Sequence, residues 1–492
     1  MRIPQASCLL VAVAALLPLR SQDPPAPASP ERPRPNVLVL LADDASVRSQ
    51  GFSGGAAADT PSLDALAAGG VVLDGAVHQG GFSGAICTVS RAMILTGRPV
   101  WGVTPGRFGY QAPAQLDTAD PLLPELFRAA GWQTFATGKW HNGEAALRRG
   151  FERADAVFLG GMLPYNARAY GGVGDAAVEL GHLDPPLARF DPQTGARLRY
   201  RGEGWSTDLV FDAAERFLRE ERDPARPFFA WVATLAPHDP RHAPREHLAA
   251  IDRDGMALPP NLSAEPTRDT GDLGVRDEQV LPPPRDEALH RREIAVHLAM
   301  MRHFDARAGR LLDLLDELGL REDTLVLFTS DHGLSMGEHG LMGKQNLDEA
   351  SWRVPLVVAG PGLPRGERRS GGAYLHGVLP TLAELAGLAP PPPARSAAFT
   401  ALLRGEADAG LPRVFGAYTP DAGGEAGIRC VREGRWKLVR YLHSGEVDLF
   451  DLAADPWELR DLAEEPEQEA RRARLAAVLQ GWMDGSGDPQ AR

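Results

Sequence analysis

The chain has 492 residues, 43% of them hydrophobic and 24% charged, and a formal net charge of −13. That length suits one large domain with a smaller partner, or up to three domains, and the composition excludes a collagen, a coiled coil and wholesale disorder. The negative charge, with no basic stripe, excludes a nucleic-acid binder working by phosphate neutralisation, and three cysteines (Cys8, Cys87 and Cys430) are too few for a disulfide scaffold.

Residues 8–19, CLLVAVAALLPL, form an apolar run behind Arg2, and the Pro-rich SQDPPAPASPERPRP follows. The run is too short to span a bilayer comfortably. The pattern predicts a signal peptide over 1–22 and an exposed linker over 23–35, hence an exported protein, periplasmic or secreted, with no stable membrane insertion. Cys8 precedes the apolar run and is not placed like a lipid-modified cysteine. Cleavage leaves Cys87 and Cys430, which either pair or serve separate purposes.

From Asn36 onward short apolar runs alternate with helical stretches, the signature of an α/β fold. NVLVLL (36–41) reads as a strand buried on both faces. Thr60-Pro61 opens a helix that buries Leu63 and Leu66. PLLPELFRAAGW (121–132) reads as a helix ended by Gly131, followed by the strand QTFAT (133–137). Residues 160–206, rich in Gly and Arg with little periodicity, read as a long insertion near the site. PFFAWVATL (227–235) is another buried strand. Residues 289–319 carry a long amphipathic helix with Leu298, Met301, Phe304, Ala308, Leu311, Leu312 and Leu315 inward and Gly319 as its stop. DTLVLFTS (323–330) and VPLVVAG (354–360) are strands. After a composition break near 390–412 come VFGAY (414–418), IRCVRE (428–433), WKLVRY (436–441) and VDLFDL (447–452), then a helix over 465–483. The expected architecture is a large mixed, mostly parallel sheet flanked by helices over 36–405, and a smaller α+β domain with an antiparallel sheet over 412–485.

In open α/β sheets ligands sit at the carboxyl ends of strands. Asp43-Asp44 follows the first strand and Ser330-Asp331-His332-Gly333 follows another. Either alone reads most simply as a solvated turn. Together they bring three carboxylates and an imidazole to one sheet edge, a donor set for a hard divalent cation. Cys87, in GAICTVSRAMILTGRP (84–99), precedes a helix-like run with Arg91 one turn on. It reads as a buried structural cysteine or as a thiolate nucleophile at a helix start. Lys139 and His141, two apart after a strand, point the same way if extended. His238, in PHDP, also follows a strand. His297 and His303, on the long helix, read as structural.

Lys139, Lys344 and Lys437 are the only lysines among 52 basic residues. Where lysine persists against so strong a bias to arginine, the wide, permanently charged guanidinium is expected to fail. Lys139 and Lys344 adjoin the candidate site. Lys437 has no evident role.

The ordered set ADD (42–44), CTVSR…LTGR (87–98), GKWH (138–141), PHDP (237–240), SDHG (330–333), GEHGLMGKQNLDEASWRVPL (337–356) and VDLFDLAADPWELRDLA (447–463) resembles the formylglycine-dependent sulfatases of the alkaline phosphatase superfamily, from about Asn36 to Trp482. Within that family it is similar to bacterial exported sulfatases acting on sulfated carbohydrates. The resemblance implies hydrolysis of sulfate esters. It implies calcium held by Asp43, Asp44, Asp331 and His332. It implies conversion of Cys87, before folding, to formylglycine, whose hydrate is both a metal ligand and the nucleophile. A formylglycine-generating or anaerobic maturation enzyme is then a partner. Arg91 would orient the hydrate and Asp331 would be its base. Lys139 and Lys344 would bind sulfate. His238 would contact sulfate or protonate the leaving alcohol, alone or together with Lys344, and His141 would help expel sulfate. One departure stands out: the family's modification motif carries Pro or Ala two residues after the cysteine, and here Val89 stands there.

Two other readings share these residues. One is a phosphodiesterase or phosphonate monoester hydrolase on the same scaffold. The other is a catalytically silent secreted binder of sulfated glycans, left immature by Val89. The sugar and the sulfated position depend on the 160–206 insertion, the 258–288 loop and the C-terminal domain.

Overall fold

The computed structural model describes residues 34–491, apart from 56, 83–85, 104–115, 117–120, 164–181, 192–193, 393, 395–397, 407–409 and 421–426. The expected signal peptide and all but the last two residues of the linker lie outside the described residues. No described helix is long and apolar enough to cross a membrane.

The strands in chain order are β1 (Asn36–Ala42), β2 (Val71–Val77), β3 (Gly80–Phe82), β4 (Gln133–Lys139), β5 (Arg153–Phe158), β6 (Pro186–Phe190), β7 (Arg197–Arg201), β8 (Phe228–Ala233), β9 (Thr324–Ser330), β10 (Leu356–Ala359), β11 (Glu367–Tyr374), β12 (Arg413–Thr419), β13 (Ile428–Glu433), β14 (Trp436–Tyr441) and β15 (Val447–Asp451). Ten build one sheet in the order β11-β2-β10-β9-β1-β8-β4-β5-β6-β7. Its centre, β9-β1-β8-β4-β5, is parallel throughout. β10 enters antiparallel between β9 and β2, and β6 and β7 extend the far end as an antiparallel hairpin.

The uninterrupted apolar run of β1 follows from burial on both faces. Val37, Val39 and Leu41 join one core, with the helices Leu123–Ala129 and Val378–Leu385. Leu38, Leu40 and Ala42 join the other, with the helices Pro61–Ala68, Ser206–Arg216 and Glu287–Glu317. The long helix starts where Asp286 accepts the Leu289 N–H at 2.7 Å. It buries every apolar position expected of it, and Gly319 beyond its end takes a φ of 65°.

The second sheet runs β15-β14-β13-β12-β3. Its C-terminal strands are antiparallel, as expected. β3, drawn from residue 80 onward, adds parallel to β12 and was not legible in the sequence. One face packs the helix Glu469–Ser486 through Leu475, Leu479 and Met483. The other covers Ile86 and Trp352.

The 160–206 segment, read as a long insertion with little periodicity, holds regular structure in its described part. Its described part forms β6, β7 and the start of the helix Ser206–Arg216. β7 is an edge strand whose RLRYR sequence is mostly exposed, so it lacks the apolar alternation that marks a strand. β2 and β11 escape notice for another reason. They meet so closely that a Cβ on Gly75 would lie 2.3 Å from the Gly371 carbonyl oxygen, and glycine there weakens the strand pattern.

The long helix also caps a neighbour. Buried Asp305 accepts the N–H groups of Leu63 at 2.7 Å and Ser62 at 3.1 Å, in the first turn of Pro61–Ala68. Replacing it with alanine strands two donors, so Asp305→Ala should lower unfolding free energy by about 1.5–3 kcal/mol, measured by denaturant titration, with the chemistry at the far sheet edge unchanged.

Candidate active site

The parallel strands deliver their chemistry to one edge. β1 ends at Ala42, before Asp43 and Asp44. β9 ends at Ser330, before Asp331 and His332. β4 ends on Lys139, two residues before His141, and β8 leads to His238. Backbone bonds from Asp43 to the Ala236 carbonyl (3.1 Å) and from Asp331 to the Ala42 carbonyl (3.3 Å) tie these ends together. Gly138 lets β4 crowd β8, since any Cβ there would fall 1.8 Å from the Ala233 carbonyl oxygen at a φ of 86°. Asp44 and His141 hold left-handed backbone at φ of 73° and 61°. Such strain in residues with side chains is tolerated where the surroundings over-determine it, commonly at functional sites.

Cys87 and Arg91 enter on the helix Ile86–Thr96, all of which is buried. Cys87 therefore lies in the first turn rather than ahead of the helix. Ser90 anchors this helix through its hydroxyl to the Asp331 carbonyl. Val89 faces away, into an apolar cluster with Phe82, Met93 and Val100. Cys87 and Cys430 are both free and buried, so the two cysteines are not paired.

The thiol is the point of convergence. Its sulfur is 3.1 Å from His332 Nε2 and 3.4 Å from Lys344 Nζ, and the nearby imidazoles of His141 and His238 are coupled to it electrostatically. Around it the charges interlock. Lys139 pairs with Asp43. Lys344 Nζ contacts both Asp44 oxygens at 2.8 and 3.0 Å. Arg91 donates from Nε to Asp331 at 3.0 Å and from Nη1 to the Lys139 carbonyl at 2.7 Å. His332 Nε2 lies 3.2 Å from Asp44, and His238 Nε2 lies 3.9 Å from the same carboxylate. The structure thus brings together Asp43, Asp44, Cys87, Arg91, Lys139, His141, His238, Asp331, His332 and Lys344. Lys437 is elsewhere. His297 bonds Ser49 and His303 bonds Asp208, away from the thiol, as structural residues do.

Sequence reading missed the supports. Asp277 sits 3.9 Å from Lys344 Nζ and bonds Gln345, and His182 bonds the His238 carbonyl at 3.0 Å. Neither belongs to a motif or a periodic run, so no local signal marks them.

Electrostatics follow from this packing. Burial disfavours a Cys87 thiolate, but Lys139, Lys344, His332 and His141 outweigh it and hold the thiol well below its usual range. Burial, with Glu349 alongside and against the pull of Lys437, pushes Cys430 up to about 12. His332 is burdened by burial yet held up at about 9 by Asp331, Cys87 and Asp44, whereas burial drives His141 down to about 4. Burial, with Asp331 alongside, raises Asp43 well above the carboxylate range.

Asp43, Asp44, Cys87 and His332 have ligand atoms close enough to share one ion. One buried atom supports the fit: Asp43 Oδ1 makes no hydrogen bond and is free to ligate. The buried acids Asp43, Asp44 and Asp331 and the Cys87 thiol face the buried bases Arg91, Lys139, Lys344 and His332, so acidic and basic groups meet here in equal number. Two carboxylates, one imidazole and one thiol make a donor set for a divalent cation.

A family model described as Sulfatase matches residues 35–388, and one described as N-sulphoglucosamine sulphohydrolase, C-terminal, matches residues 337–483. The chain is 27% identical over 466 residues to an ulvan-active sulfatase of Formosa agariphila, covering 93% of this chain and 83% of the relative. It is 29% identical over 461 residues to a choline-sulfatase of Rhizobium meliloti, covering 90% and 85%. Among solved structures, one in complex with its substrate D-glucosamine-2-N,6-O-disulfate shares the fold at a TM-score of 0.71 and 21% identity, over 93% of this chain and all of that one, 100%.

Arg91 is the keystone of the charge lattice. Arg91→Ala leaves Asp331 and Asp43 buried without it and should destabilise the protein by about 3–5 kcal/mol, read by chemical unfolding. A cost under about 1 kcal/mol, the range of an exposed pair, would show that Arg91 is not their counter-ion.

Proposed function

The chain belongs to the sulfatase family, hydrolases of sulfate esters, and from that premise we propose that it is an exported, calcium-dependent enzyme that desulfates a carbohydrate with a formylglycine made from Cys87. The observation carrying this reading is the thiol itself: buried in the first turn of a helix, 3.1 Å from His332 Nε2 and 3.4 Å from Lys344 Nζ. That is an arrangement for a reacting atom, and a structural cysteine such as Cys430 has none of it.

Formylglycine at position 87, once hydrated, would supply the attacking hydroxyl, and calcium, which Asp43, Asp44, Asp331, His332 and residue 87 would hold, would supply positive charge beside it. The rest falls to this chain's own side chains. Arg91, fixed by Asp331 and the Lys139 carbonyl, orients residue 87. Asp331 takes the proton of the attacking hydroxyl. Lys139 and Lys344 bind sulfate oxygens, and compact ammonium groups suit positions this close to the reacting atom. His238 and Lys344 face the leaving oxygen and protonate it, a contribution that grows as the leaving alcohol becomes a poorer leaving group. His141, kept neutral by burial, stands beside residue 87 to take the proton that lets sulfate depart.

A sulfated carbohydrate is the proposed substrate class. It is supported by the sugar disulfate bound in the structural relative, while the choline-sulfatase marks the range of alcohols the family accepts. Residues 1–22 are proposed as a signal removed on export, with 36–405 as the catalytic part and 412–485 as the C-terminal subdomain.

Turnover of a panel of defined sulfated saccharides, beside matched aryl sulfate and aryl phosphate esters, tests the reading. It is expected to favour sulfate, to fall on chelation and to return with calcium. Mass spectrometry of the Cys87 peptide should show an aldehyde, and a thiol in fully active protein would refute the proposed nucleophile. Lys139→Arg and Lys344→Arg should each cost on the order of 10²-fold in kcat/KM through misplacement of the sulfate. The Lys344 variant should lose more with sugar sulfates than with aryl sulfates, because guanidinium does not give up a proton near neutral pH.

A further inference from the structure

Lys437, in β14, lies outside the charge lattice, yet its side chain is wholly buried. Its ammonium donates to Glu458 at 2.7 Å and to Glu349 at 3.1 Å, and it stands 5.2 Å from the centre of the Trp352 ring. Glu458 belongs to the turn DPWEL that follows β15. Its φ is 57°, a left-handed conformation where glycine is the ordinary occupant. The backbone accepts that strain with a glutamate in place, and the carboxylate is aimed inward. While one oxygen takes the lysine, the other accepts the backbone N–H of Glu349 at 2.8 Å.

Glu349 opens the four-residue helix Glu349–Trp352, which stands between the second sheet and the loop carrying Lys344. From this helix Ser351 Oγ donates to the Lys344 carbonyl at 3.0 Å. Its far side is fixed independently, where Gly333 and Leu334 donate to the carbonyls of Ser351 and Ala350 at 2.8 and 3.0 Å. On the other flank of Lys344, Glu278 accepts the N–H groups of Met342 and Gly343 at 3.0 and 2.9 Å. The peptide that bears the ammonium is therefore held at both ends, and one of the two holds is anchored in the C-terminal sheet.

We infer that Glu458 and Lys437 are positioning residues for Lys344: through Glu349 and Ser351 they set where its ammonium sits beside Asp44 and Cys87. The inference rests on the reading of Lys344 as a sulfate-binding and proton-donating group. Apolar contacts could hold two layers together, but a carboxylate that engages a lysine and a backbone N–H at once fixes direction as well as distance. It also gives a reason for the third surviving lysine. The gap between two carboxylates and an indole takes an ammonium, and a planar guanidinium is wider.

The test is a set of kinetic cycles on the mature enzyme. kcat, KM and melting temperature are measured for Glu458→Gln, Glu458→Gly and Glu349→Gln, each alone and combined with Lys344→Ala, using an aryl and an alkyl sulfate. Glycine suits the backbone at 458, so Glu458→Gly removes the carboxylate without adding strain. Each single variant should lose roughly 10-fold or more in kcat, the alkyl sulfate suffering more, with KM little changed. On the Lys344→Ala background the same changes should cost less than about twofold, because coupled residues are not additive. Equal losses on both backgrounds, or wild-type kcat in a folded Glu458→Gly, would overturn the inference. If the single variants do not fold, Lys437→Met with Glu458→Leu removes both charges together and carries the same expectations. Failure of that pair to fold would also overturn the inference, in favour of a purely structural role. A harmless Lys344→Ala would instead refute the role given to Lys344. Amide hydrogen exchange over residues 341–352, expected to speed up in Glu458→Gly, would then still decide whether the coupling exists.

Discussion

Asp43, Asp44 and Asp331 lie fully buried beside Arg91, Lys139 and Lys344. None of the six could be buried alone, because an unpaired charge in a protein interior costs several kcal/mol. Each is tolerable only because another arrives from a different strand or loop: Asp43 and Asp44 after β1, Asp331 after β9, Lys139 at the end of β4, Arg91 from a helix between them, and Lys344 from the loop after β9. Mutual compensation constrains the whole molecule. The parallel order β9-β1-β8-β4 brings these ends to one edge, and two cores seal both faces of the sheet beneath them.

Much of this was legible in the sequence because strands buried on both faces announce themselves. NVLVLL, QTFAT, PFFAWVATL and DTLVLFTS are apolar runs with little competing pattern, and the residues after them carry the chemistry. The four C-terminal strands were legible through their spacing. What stayed hidden depended on the partner rather than the segment. β7 is exposed, β2 and β11 give way to glycine where they touch, and β3 is three residues long. The site shows the same division. Asp43, Cys87, Lys139 and Lys344 stood out by position or rarity, while Asp277 and His182 act through contacts made across the fold. Lys437 could be singled out as one of three lysines, but its partners lie 88 and 21 residues away in the chain, and only folding shows what it is for.

The family assignment fixes the reaction class, and the local geometry shows where an acidic chain gathers basic groups for an anionic ester. A net charge of −13 repels sulfate at long range. Screening confines that repulsion to about 8–10 Å in physiological salt, whereas the lattice acts at 3–4 Å. Affinity at such a site depends on arrangement more than on overall charge.

β3 carries a consequence for the life history of the chain. It pairs with β12, more than 300 residues later in sequence, and it runs almost directly into the helix that hides Cys87 at 3% exposure. During synthesis the second sheet cannot close over this region until residue 419 has emerged. In the finished fold Cys87 is sealed. An enzyme that altered this side chain would reach it most easily before that closure, so the order in which the chain emerges sets the time it would have.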